Sequence, residues 1–478
     1  MARQSTPLWN QPRSRHSVLP AQTRLQPNAR PPLTMASPAV NYLLVLVFLA
    51  DLFTPFLIWK GLLPDVFRWA SDAGTLALVV ILLVRMLVFD RFPLGFWLIM
   101  ALTLIGVTQA TFQGQDILSS IWGVWKTFQF PLLGVYAFLN PHWPEKFSEK
   151  LRWACIAILA FEVLVQIGQY LTGEPVGDNL AGTFGRKGVS HLLLFSAVTV
   201  SYALGYGAVK GDWRIFLGTF GLGIVSSVLA ENKIFPVATL LLAAVAVLVY
   251  LYMGGNFGKL IPYGAVLFVG LVLFFIGYNL FVPSAERRPL QDYFDTETRE
   301  SYNTRVRSSD SSVTDYNIGR TFAMQFGWHF ITTFPDETVF FLGLGLGART
   351  ESTTLGAGGI AFELDGLGLT RGTGMLVLLQ EMGLLGVFTV GLFVIWLSYF
   401  LLVDLKRYPQ SDANELRAAI LLFTVLWPLW LWYKPVIWAR IAMMLYWVSV
   451  GYVIQRRYSD EAQQERVGVK PYALFPRT

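Results

Sequence analysis

The chain has 478 residues, of which 54% are hydrophobic and only 14% are charged, and its mean hydropathy is +0.49. Soluble proteins carry about 25% charged residues, so this composition excludes an ordinary soluble enzyme. The formal net charge of +6 is explained by loops and tails, and it gives no reason to expect a nucleic-acid partner.

The chain begins with a polar, proline-containing segment at residues 1–38, which predicts a disordered cytoplasmic tail. Apolar runs of membrane-spanning length follow, and they are continuous rather than alternating, which indicates helices. We predict an all-α polytopic membrane protein with about twelve transmembrane helices. Nine lie within residues 39–282 and three within 373–454, before a second tail at 455–478. The runs are 39–59, 73–89, 92–110, 117–139, 152–172, 190–208, 214–230, 233–253, 260–282, 373–403, 416–433 and 436–454.

Lysine and arginine are concentrated in alternate short loops, and this bias predicts the side that each loop faces. With the N-terminus in the cytoplasm, the inside loops hold Arg91, Lys146, Lys150, Arg152, Lys210, Arg214, Lys259, Lys406, Arg407 and Arg417. The short outside loops hold Lys60, Arg68, Arg186, Lys187, Lys233 and Lys434. The C-terminal tail is also basic. We therefore predict that both termini are cytoplasmic.

One connection, residues 283–372, is far longer than the others, and the predicted topology places it outside the cell membrane. Loops of this length are usually functional. Within it, the stretch "YNIGRTFAMQFGWHFITTF" has apolar residues at helical spacing. This spacing predicts an amphipathic helix that lies on the outer face of the membrane.

Basic residues on the predicted outer face come from four separate segments, so they can converge at one end of a helix bundle. They are Arg186, Lys187, Lys233, Arg320 and Arg371. Arginine presents a planar fork to phosphate oxygens and lysine presents a compact charge, so we expect them to bind a diphosphate. Lys233 stands in the short polar break "ENK", where Glu231 or Asn232 would orient it. An ordinary hairpin that touches lipid headgroups is the other interpretation.

Three acidic residues are candidates for acid–base chemistry: Glu363 and Asp365 in "FELDG", and Glu381 about two turns into the tenth span. A solvated loop pair explains Glu363 and Asp365 better than a metal site does. Charge inside a span is costly and points to function, although snorkelling explains residues near span ends. Other charged residues within the predicted spans include Asp51, Arg85, Lys126 and Glu162. His16, His142, His191 and His329 lack metal-ligand spacing and are interpreted as structural.

The glycine-rich stretch "LGLGLGART" formally fits a dinucleotide-binding fingerprint. That pattern has meaning only between a strand and a helix of a βαβ unit, so we reject it in this setting. Gly343, Gly345 and Gly347 would still let the backbone approach a ligand closely. A tightly turned connector is the alternative that remains open.

Several of these stretches together resemble the O-antigen polymerase and ligase superfamily of bacterial envelope proteins. The resemblance rests on about twelve spans, a late outer loop, and "GRTFAMQFGWHF" followed by "FFLGLGLG" and "MLVLLQEMGLLGVF". "NLAGTFGRKGVSHLLLF" is similar to the family's outer loop ahead of the sixth span. The resemblance covers most of the chain and implies a multi-pass protein of the bacterial inner membrane.

Members of this family take a glycan from a polyprenyl diphosphate carrier on the outer face, without a nucleotide sugar, metal or other cofactor. The resemblance implies a polymerase that joins lipid-linked oligosaccharide repeats into exopolysaccharide, capsule or O-antigen. Its partners would be this lipid-linked oligosaccharide, membrane lipids, a chain-length regulator and export proteins. The family's diphosphate-binding residues map by position to Arg186 or Lys187, Lys233 and Arg320. The base would be Asp365, Glu363 or Glu381.

Two other functions remain open. Ligases of the family, which transfer glycan to lipid A core or protein, usually have a histidine shortly before the glutamate of span ten. Arg371, Gly372 and Thr373 occupy that place here, which favours a polymerase. A flippase for lipid-linked glycan is the third candidate, and it would be favoured if Lys126, Glu162 and Arg85 lined one central cavity.

Overall fold

The computed structural model describes residues 38–89, 92–140, 142–177, 179–185, 188–281, 306–308, 316–352, 357–365 and 372–466. The predicted N-terminal tail therefore lies almost entirely outside the described residues, as do three of the five predicted cations, Arg186, Lys187 and Arg371. Only parts of the long connection at 283–372 are described.

Within the described residues, the fold is helical apart from two small antiparallel β-hairpins. The first half of the chain forms α1 (Pro38–Trp59), α2 (Trp69–Phe89), α3 (Leu94–Phe112), α4 (Ile117–Leu139), α5 (Phe147–Leu171), α6 (Val189–Lys210), α7 (Arg214–Leu229), α8 (Ile234–Tyr252) and α9 (Ile261–Phe281). Short 3-10 turns lie at Asp65–Arg68, Gly182–Phe184, Phe257–Leu260 and Val436–Trp438.

The second half contains β1 (Val306–Ser308), β2 (Tyr316–Ile318), α10 (Arg320–Thr333), α11 (Glu337–Leu342), β3 (Glu351–Ser352), β4 (Ala357–Gly358), α12 (Ile360–Asp365), α13 (Gly374–Arg407), α14 (Asn414–Val425), α15 (Trp427–Tyr433) and α16 (Arg440–Arg466). β1 pairs with β2, with Val306 opposite Ile318. β3 pairs with β4, with Glu351 opposite Gly358. α16 continues to Arg466, so the first part of the predicted C-terminal tail is helical.

Eight helical segments in the described part of the chain are long and apolar enough to cross a membrane, which makes this a membrane protein by architecture. They are Asn41–Trp59, Asp65–Leu87, Leu94–Phe112, Phe147–Leu171, Val189–Lys210, Ile234–Tyr252, Phe257–Leu280 and Gly374–Arg407. α14 and α15 add a ninth if the pair, bent by 49°, counts as one span. The predicted spans at 117–139, 214–230 and 436–454 correspond to α4, the 16-residue α7 and α16, which do not meet these criteria. Twelve spans therefore stay a prediction.

α6 is the central helix of the bundle, because 89% of its most apolar window is buried, against 11–50% for the other seven spans. It packs against α5, α7, α8, α14 and α16. Close helix contacts rest on small residues, as is common in membranes. At the α4–α16 contact, a Cβ on Gly451 would lie 2.1 Å from the carbonyl oxygen of Gly134.

The helix predicted over 316–334 within the long connection is present as the shorter α10 (Arg320–Thr333), because Tyr316–Ile318 form β2 instead. Its place on an outer membrane face stays a prediction. Its buried residues are Ala323, Gly327 and Ile331, which recur every four positions and so share one face. That face packs on the first turns of α13. Leu376 of α13 lies closest to Gly327.

α13 is not a continuous helix. Gly383 has φ 57° and ψ −149°, values that glycine adopts easily and other residues do not. The break separates a short N-terminal segment, whose start is capped by Thr373 accepting from the backbone N–H of Leu376 at 3.2 Å, from a long C-terminal segment. The prediction that this span begins outside the bilayer or tilts is compatible with such a break.

A buried ionic network ties the end of α13 to α14 and α16. The Nη2 of Arg417 donates to Asp460 at 2.8 Å, and its Nη1 donates to the side chain of Asn414 at 2.9 Å. Asp404 lies 3.8 Å from the Nε of Arg417, and both side chains are fully buried. We call these four residues the Arg417 network. They lie at the opposite end of α13 from the candidate functional site described below.

Candidate functional site

Tyr433, the last residue of α15, contacts one predicted cation, Arg320, and also contacts Asn232, the sequence neighbour of another, Lys233. The Nε of Arg320, the first residue of α10, donates to the carbonyl oxygen of Tyr433 at 3.2 Å. Its guanidinium lies 4.1 Å from the centre of the Tyr433 ring. The Tyr433 hydroxyl in turn reaches the side-chain oxygen of Asn232 at 3.5 Å. We call Asn232, Lys233, Arg320 and Tyr433 the Tyr433 junction.

Lys233 is positioned by the tight turn between α7 and α8. Its Nζ lies 3.3 Å from a carboxylate oxygen of Glu231, and that oxygen also accepts from the Tyr278 hydroxyl of α9 at 3.0 Å. Glu231 adopts φ 54°, a left-handed conformation that costs free energy outside glycine. The turn is held by Asn232, whose backbone N–H donates to the Ser227 carbonyl at 2.7 Å. The prediction that Glu231 orients Lys233 matches this geometry.

Arg440, which begins α16, links two intramembrane carboxylates close to the junction. Its Nε lies 3.1 Å from Asp51 of α1, and its Nη2 lies 2.6 Å from Asp72 of α2. Asp72 also accepts from the indole of Trp125 at 3.2 Å and lies 3.7 Å from the Nζ of Lys126 on α4. Two carboxylates are thus matched by two cations. Such pairing offsets the cost of burying charged side chains among apolar helices.

The loop before α6 is held by a polar stripe on one face of α5. Glu162 accepts from both the backbone N–H and the hydroxyl of Thr183. Gln166 donates to the carbonyl oxygen of Leu180 at 2.6 Å, and Gln169 donates to that of Gly182 at 2.9 Å. The spacing 162, 166, 169 follows the helical period. Glu162, Gln166 and Gln169 therefore hold residues 180–183 of the loop before α6.

The glycine loop at 343–349 closes against the chain itself. The backbone N–H groups of Leu344 and Gly345 donate to the carbonyls of Gln380 and Glu381 at 2.7 and 3.1 Å. Because Gly383 interrupts α13, these two carbonyls are available to partners outside the helix. On the other side, the carboxamide of Gln109 in α3 donates to the carbonyl oxygen of Gly343 at 2.9 Å. The loop is therefore clamped between α3 and the break in α13.

At three positions of this loop, neighbouring backbone atoms leave room for glycine but not for a residue with a Cβ atom. A Cβ on Gly345, which has φ 95°, would lie 2.3 Å from the backbone nitrogen of Ala110. A Cβ on Gly343 would lie 2.5 Å from the carbonyl carbon of Glu381, and a Cβ on Gly347 would lie 2.1 Å from the carbonyl oxygen of Ser119. The alternative of a tightly turned connector fits this packing. Close approach to a ligand stays a prediction.

Glu381 is buried, with 3% of its surface exposed. Its Oε1 accepts from the backbone N–H of Arg349 at 3.1 Å, and the backbone of Gly347 also bonds to it. The fully buried Arg349 side chain donates through Nε to Gln380. In this arrangement Glu381 holds the glycine loop in place, which is a positioning role. Its proposed role as a base would require the loop to move.

Glu363 and Asp365 belong to the short helix α12, and their side chains lie outside the described residues. α12 packs on the glycine loop, since the backbone N–H of Ala361 donates to the carbonyl oxygen of Ala348 at 2.9 Å. Within the described part of the chain, no group of three or more His, Cys, Asp or Glu side chains is arranged to hold a metal ion.

Sequence reasoning missed the residues that connect the predicted cations. Tyr433 and Arg440 flank a six-residue connection, 434–439, that the sequence shows only as a short gap between two apolar runs. The sequence did show two basic residues, Lys434 and Arg440, at the junction of two apolar runs, and this could have marked the connection as a candidate site. The glutamines at 109, 166 and 169 were also visible, as polar residues facing one way on apolar helices.

No protein-family model matches this chain, and no curated protein is significantly similar to it in sequence.

Proposed function

We propose that this protein is a polysaccharide polymerase of the O-antigen polymerase and ligase type. It would join polyprenyl-diphosphate-linked oligosaccharide repeats on the outer face of the bacterial inner membrane, to make exopolysaccharide, capsule or O-antigen. The proposal rests on the sequence resemblance, on the contact of Arg320 with Tyr433, and on the contact of Tyr433 with Asn232, the residue before Lys233. Lys233 and Arg320 are 87 positions apart in sequence, and a diphosphate ligand would explain why the segments that carry them lie together.

In the proposed reaction, a hydroxyl group of the acceptor sugar attacks the anomeric carbon of the donor repeat. The bond between that carbon and the diphosphate oxygen breaks, and polyprenyl diphosphate leaves. Negative charge develops on the diphosphate, so fixed cations stabilise the transition state more than the ground state. Lys233 and Arg320 would do this from the Tyr433 junction, joined by Arg186, Lys187 and Arg371.

The base that takes the hydroxyl proton would be Glu363 or Asp365. A carboxylate must reach the reacting hydroxyl group to act as a base. Glu381 is less suited, because its Oε1 is already engaged by the N–H of Arg349. α12, which carries the other two carboxylates, lies against the glycine loop, and movement of that loop would carry α12 with it.

The proposed topology has about twelve spans, both termini in the cytoplasm and the long connection outside. It counts α4, α7, the α14–α15 pair and α16 as spans in addition to the eight segments described above. Arg440 and Lys126 inside such spans are tolerated because they pair with Asp51 and Asp72. A chain-length regulator and export proteins are the partners that polymerisation would require.

A flippase is less well supported by the geometry. Lys126 pairs with Asp72, Glu162 is fully buried against Thr183, and Arg85 lies over the ring of Tyr136 at 5.5 Å. These three charged residues thus have different partners. A single charged path through the bundle would instead bring them to one cavity.

The test is polymerisation by the purified protein in lipid nanodiscs, with a polyprenyl-diphosphate-linked repeat from the same cell as the only sugar source. Products are resolved by length, without nucleotide sugar or added metal. A ladder of repeat multiples is expected. A single unchanged repeat would contradict the polymerase, and transfer to an added lipid A core would identify a ligase instead.

A further inference from the structure

A groove with apolar walls lies where α7, α8 and α9 meet at one end of the bundle. Its volume is about 220 Å³, and its walls come from the start of α7, the second half of α8, the 3-10 turn at Phe257–Leu260 and the start of α9. Trp213 and Phe216 form its floor and are each 3% exposed, whereas Phe257 and Ile261 at its rim are more than half exposed. This α7–α9 groove therefore opens to the outside of the helix bundle.

The groove exists because α9 packs closely on α7 along only part of its length. A Cβ on Gly270 would lie 2.5 Å from the ring of Phe220, and a Cβ on Gly277 would lie 3.6 Å from the side chain of Val228. Gly264, which lines the groove, differs from both: a Cβ there would meet no atom of the neighbouring described residues within 4 Å. The two helices thus diverge at this end and leave space between their apolar faces.

Hydrocarbon fills this space better than water does. Every residue that lines the groove is apolar or aromatic, and a water molecule needs two to four polar partners to occupy a cavity. An unfilled groove would lose the dispersion contacts of its walls. The helical segments Ile234–Tyr252 and Phe257–Leu280 are long and apolar enough to cross a membrane, so lipid chains would surround the opening. A lipid chain is therefore the natural occupant.

Two cations stand beside the groove and are not paired within the protein. Arg214 directly follows Trp213, and Lys259 directly precedes Leu260; both side chains are exposed. Among the described residues, no carboxylate forms an ion pair with either cation. Asp212 accepts instead from the backbone N–H of Arg214 at 3.1 Å. Basic pockets between membrane helices at a cytoplasmic surface favour anionic headgroups, and the predicted topology places this end in the cytoplasm.

We infer that the α7–α9 groove binds one acyl chain of an anionic phospholipid, whose headgroup phosphate lies between Arg214 and Lys259. A negative headgroup on an apolar chain matches an apolar groove with two cations at its rim. A zwitterionic lipid would fill the groove but would leave the positive charge uncompensated. The site lies at the opposite end of α8 from Lys233, about 28 Å away along that helix. It is therefore separate from the Tyr433 junction and does not rest on the proposed function.

The test is photocrosslinking with phosphatidylglycerol that carries a diazirine in one acyl chain. The full-length protein is held in phosphatidylcholine nanodiscs that contain a small fraction of this probe, and labelled peptides are quantified by mass spectrometry. Each cation contributes about fivefold in affinity for an anionic lipid. Labelling of residues 257–267 is therefore expected to exceed that by the matching phosphatidylcholine probe at least about tenfold. The stretch 388–399 of α13, where Phe388, Leu392 and Ile395 are exposed, is the internal control and is expected to show no preference.

Variants separate the cations from the groove. Arg214→Gln combined with Lys259→Gln is expected to remove most of the preference for phosphatidylglycerol, while Lys60→Gln leaves it unchanged. Gly264→Leu fills the open space without meeting a neighbour, and it is expected to reduce labelling of 257–267 by both probes severalfold. Gly218→Leu, on the exposed face of α7, is the matched control and keeps wild-type labelling.

Equal labelling of 257–267 by the two probes would overturn the inference, because the groove would then hold bulk lipid without selection. So would displacement of the probe by polyprenyl diphosphate but not by unlabelled phosphatidylglycerol, since the groove would then belong to a different lipid. The readout needs no turnover. Selective labelling without any polymer ladder would keep the phospholipid site and remove the polymerase, and a ladder with equal labelling would do the reverse.

Discussion

The guanidinium of Arg320 stacks on the ring of Tyr433 at 4.1 Å and donates to the carbonyl oxygen of the same residue at 3.2 Å. One residue therefore fixes both the plane and the position of this cation. The same tyrosine reaches Asn232, the neighbour of Lys233 in sequence. Tyr433 thus links α10 to the turn that carries Lys233, two segments that are far apart in sequence.

Two substitutions of Tyr433 distinguish the contribution of its ring from that of its hydroxyl group. Tyr433→Phe keeps the ring beneath Arg320 and loses only a long hydrogen bond, so donor affinity is expected to stay within about twofold of wild type. Tyr433→Leu also loses the cation–π contact, which contributes about 0.5–2 kcal/mol. Binding of polyprenyl diphosphate is then expected to weaken roughly two- to thirtyfold. Equal affinities for the two variants would show that the ring does not position Arg320.

The glycine loop gives a test of stability rather than binding. Gly345→Ala places a methyl group against the backbone of Ala110 at a positive φ, and we expect it to lower the free energy of unfolding by about 2 kcal/mol or more. Gly218→Ala in α7, where a Cβ meets nothing within 4 Å, is the matched control and is expected to be neutral or slightly stabilising. Thermal unfolding in detergent measures both.

Much of the helical architecture could be predicted from the sequence, because long apolar runs have few alternatives in a membrane. The helix at 320–333 was also predictable, since its buried residues share one face. The break at Gly383 was not. A single glycine in an apolar run is compatible with an unbroken helix, and only the contact with the glycine loop explains why this one leaves the helical conformation.

The Arg417 network predicts a large effect of removing one buried charge. Arg417→Met removes the cation that Asp404 and Asp460 share, while Asp404 keeps Arg457 at 3.6 Å. Loss of one partner from a buried pair costs about 3–5 kcal/mol, and because Arg457 remains we expect a cost near the lower end of this range. Arg68→Met removes an exposed partner of Asp65 and is expected to cost less than about 1 kcal/mol. Similar unfolding temperatures for these two variants would contradict the burial of the network.

Asp336, which caps α11 outside the membrane spans, predicts a pH dependence of stability. The backbone N–H of Thr338, the side chain of Gln113 and the Thr338 hydroxyl donate to this carboxylate and lower its pKa. A carboxyl whose pKa is lower in the folded state stabilises the fold above its unfolded pKa of about 4. That contribution is lost as the pH falls through the lowered value.

We therefore expect Asp336→Asn to unfold at a lower temperature than wild type near about pH 6, and the difference to shrink as the pH falls below about 4. Gln113→Leu, which removes one donor, is expected to reduce the same difference. A gap between wild type and Asp336→Asn that stays constant over this pH range would rule out the ionised carboxylate as its source.

The candidate site was predictable in part. Lys233 and Arg320 stand out as basic residues on the predicted outer face. Tyr433 does not stand out, because an aromatic residue at the end of a span is ordinary. Its importance arises from tertiary packing, which brings the turn before α8 and the end of α15 together.

The central claim is that Lys233 and Arg320 act together on the diphosphate of a lipid-linked repeat. The most direct measurement is the length-resolved product of the nanodisc reaction for wild type, Lys233→Gln, Arg320→Gln, and Lys60→Gln as the control. We predict a ladder of repeats for wild type and Lys60→Gln, and a loss of at least about tenfold in polymer for each of the other two. Full polymerisation by Lys233→Gln and Arg320→Gln would contradict the claim.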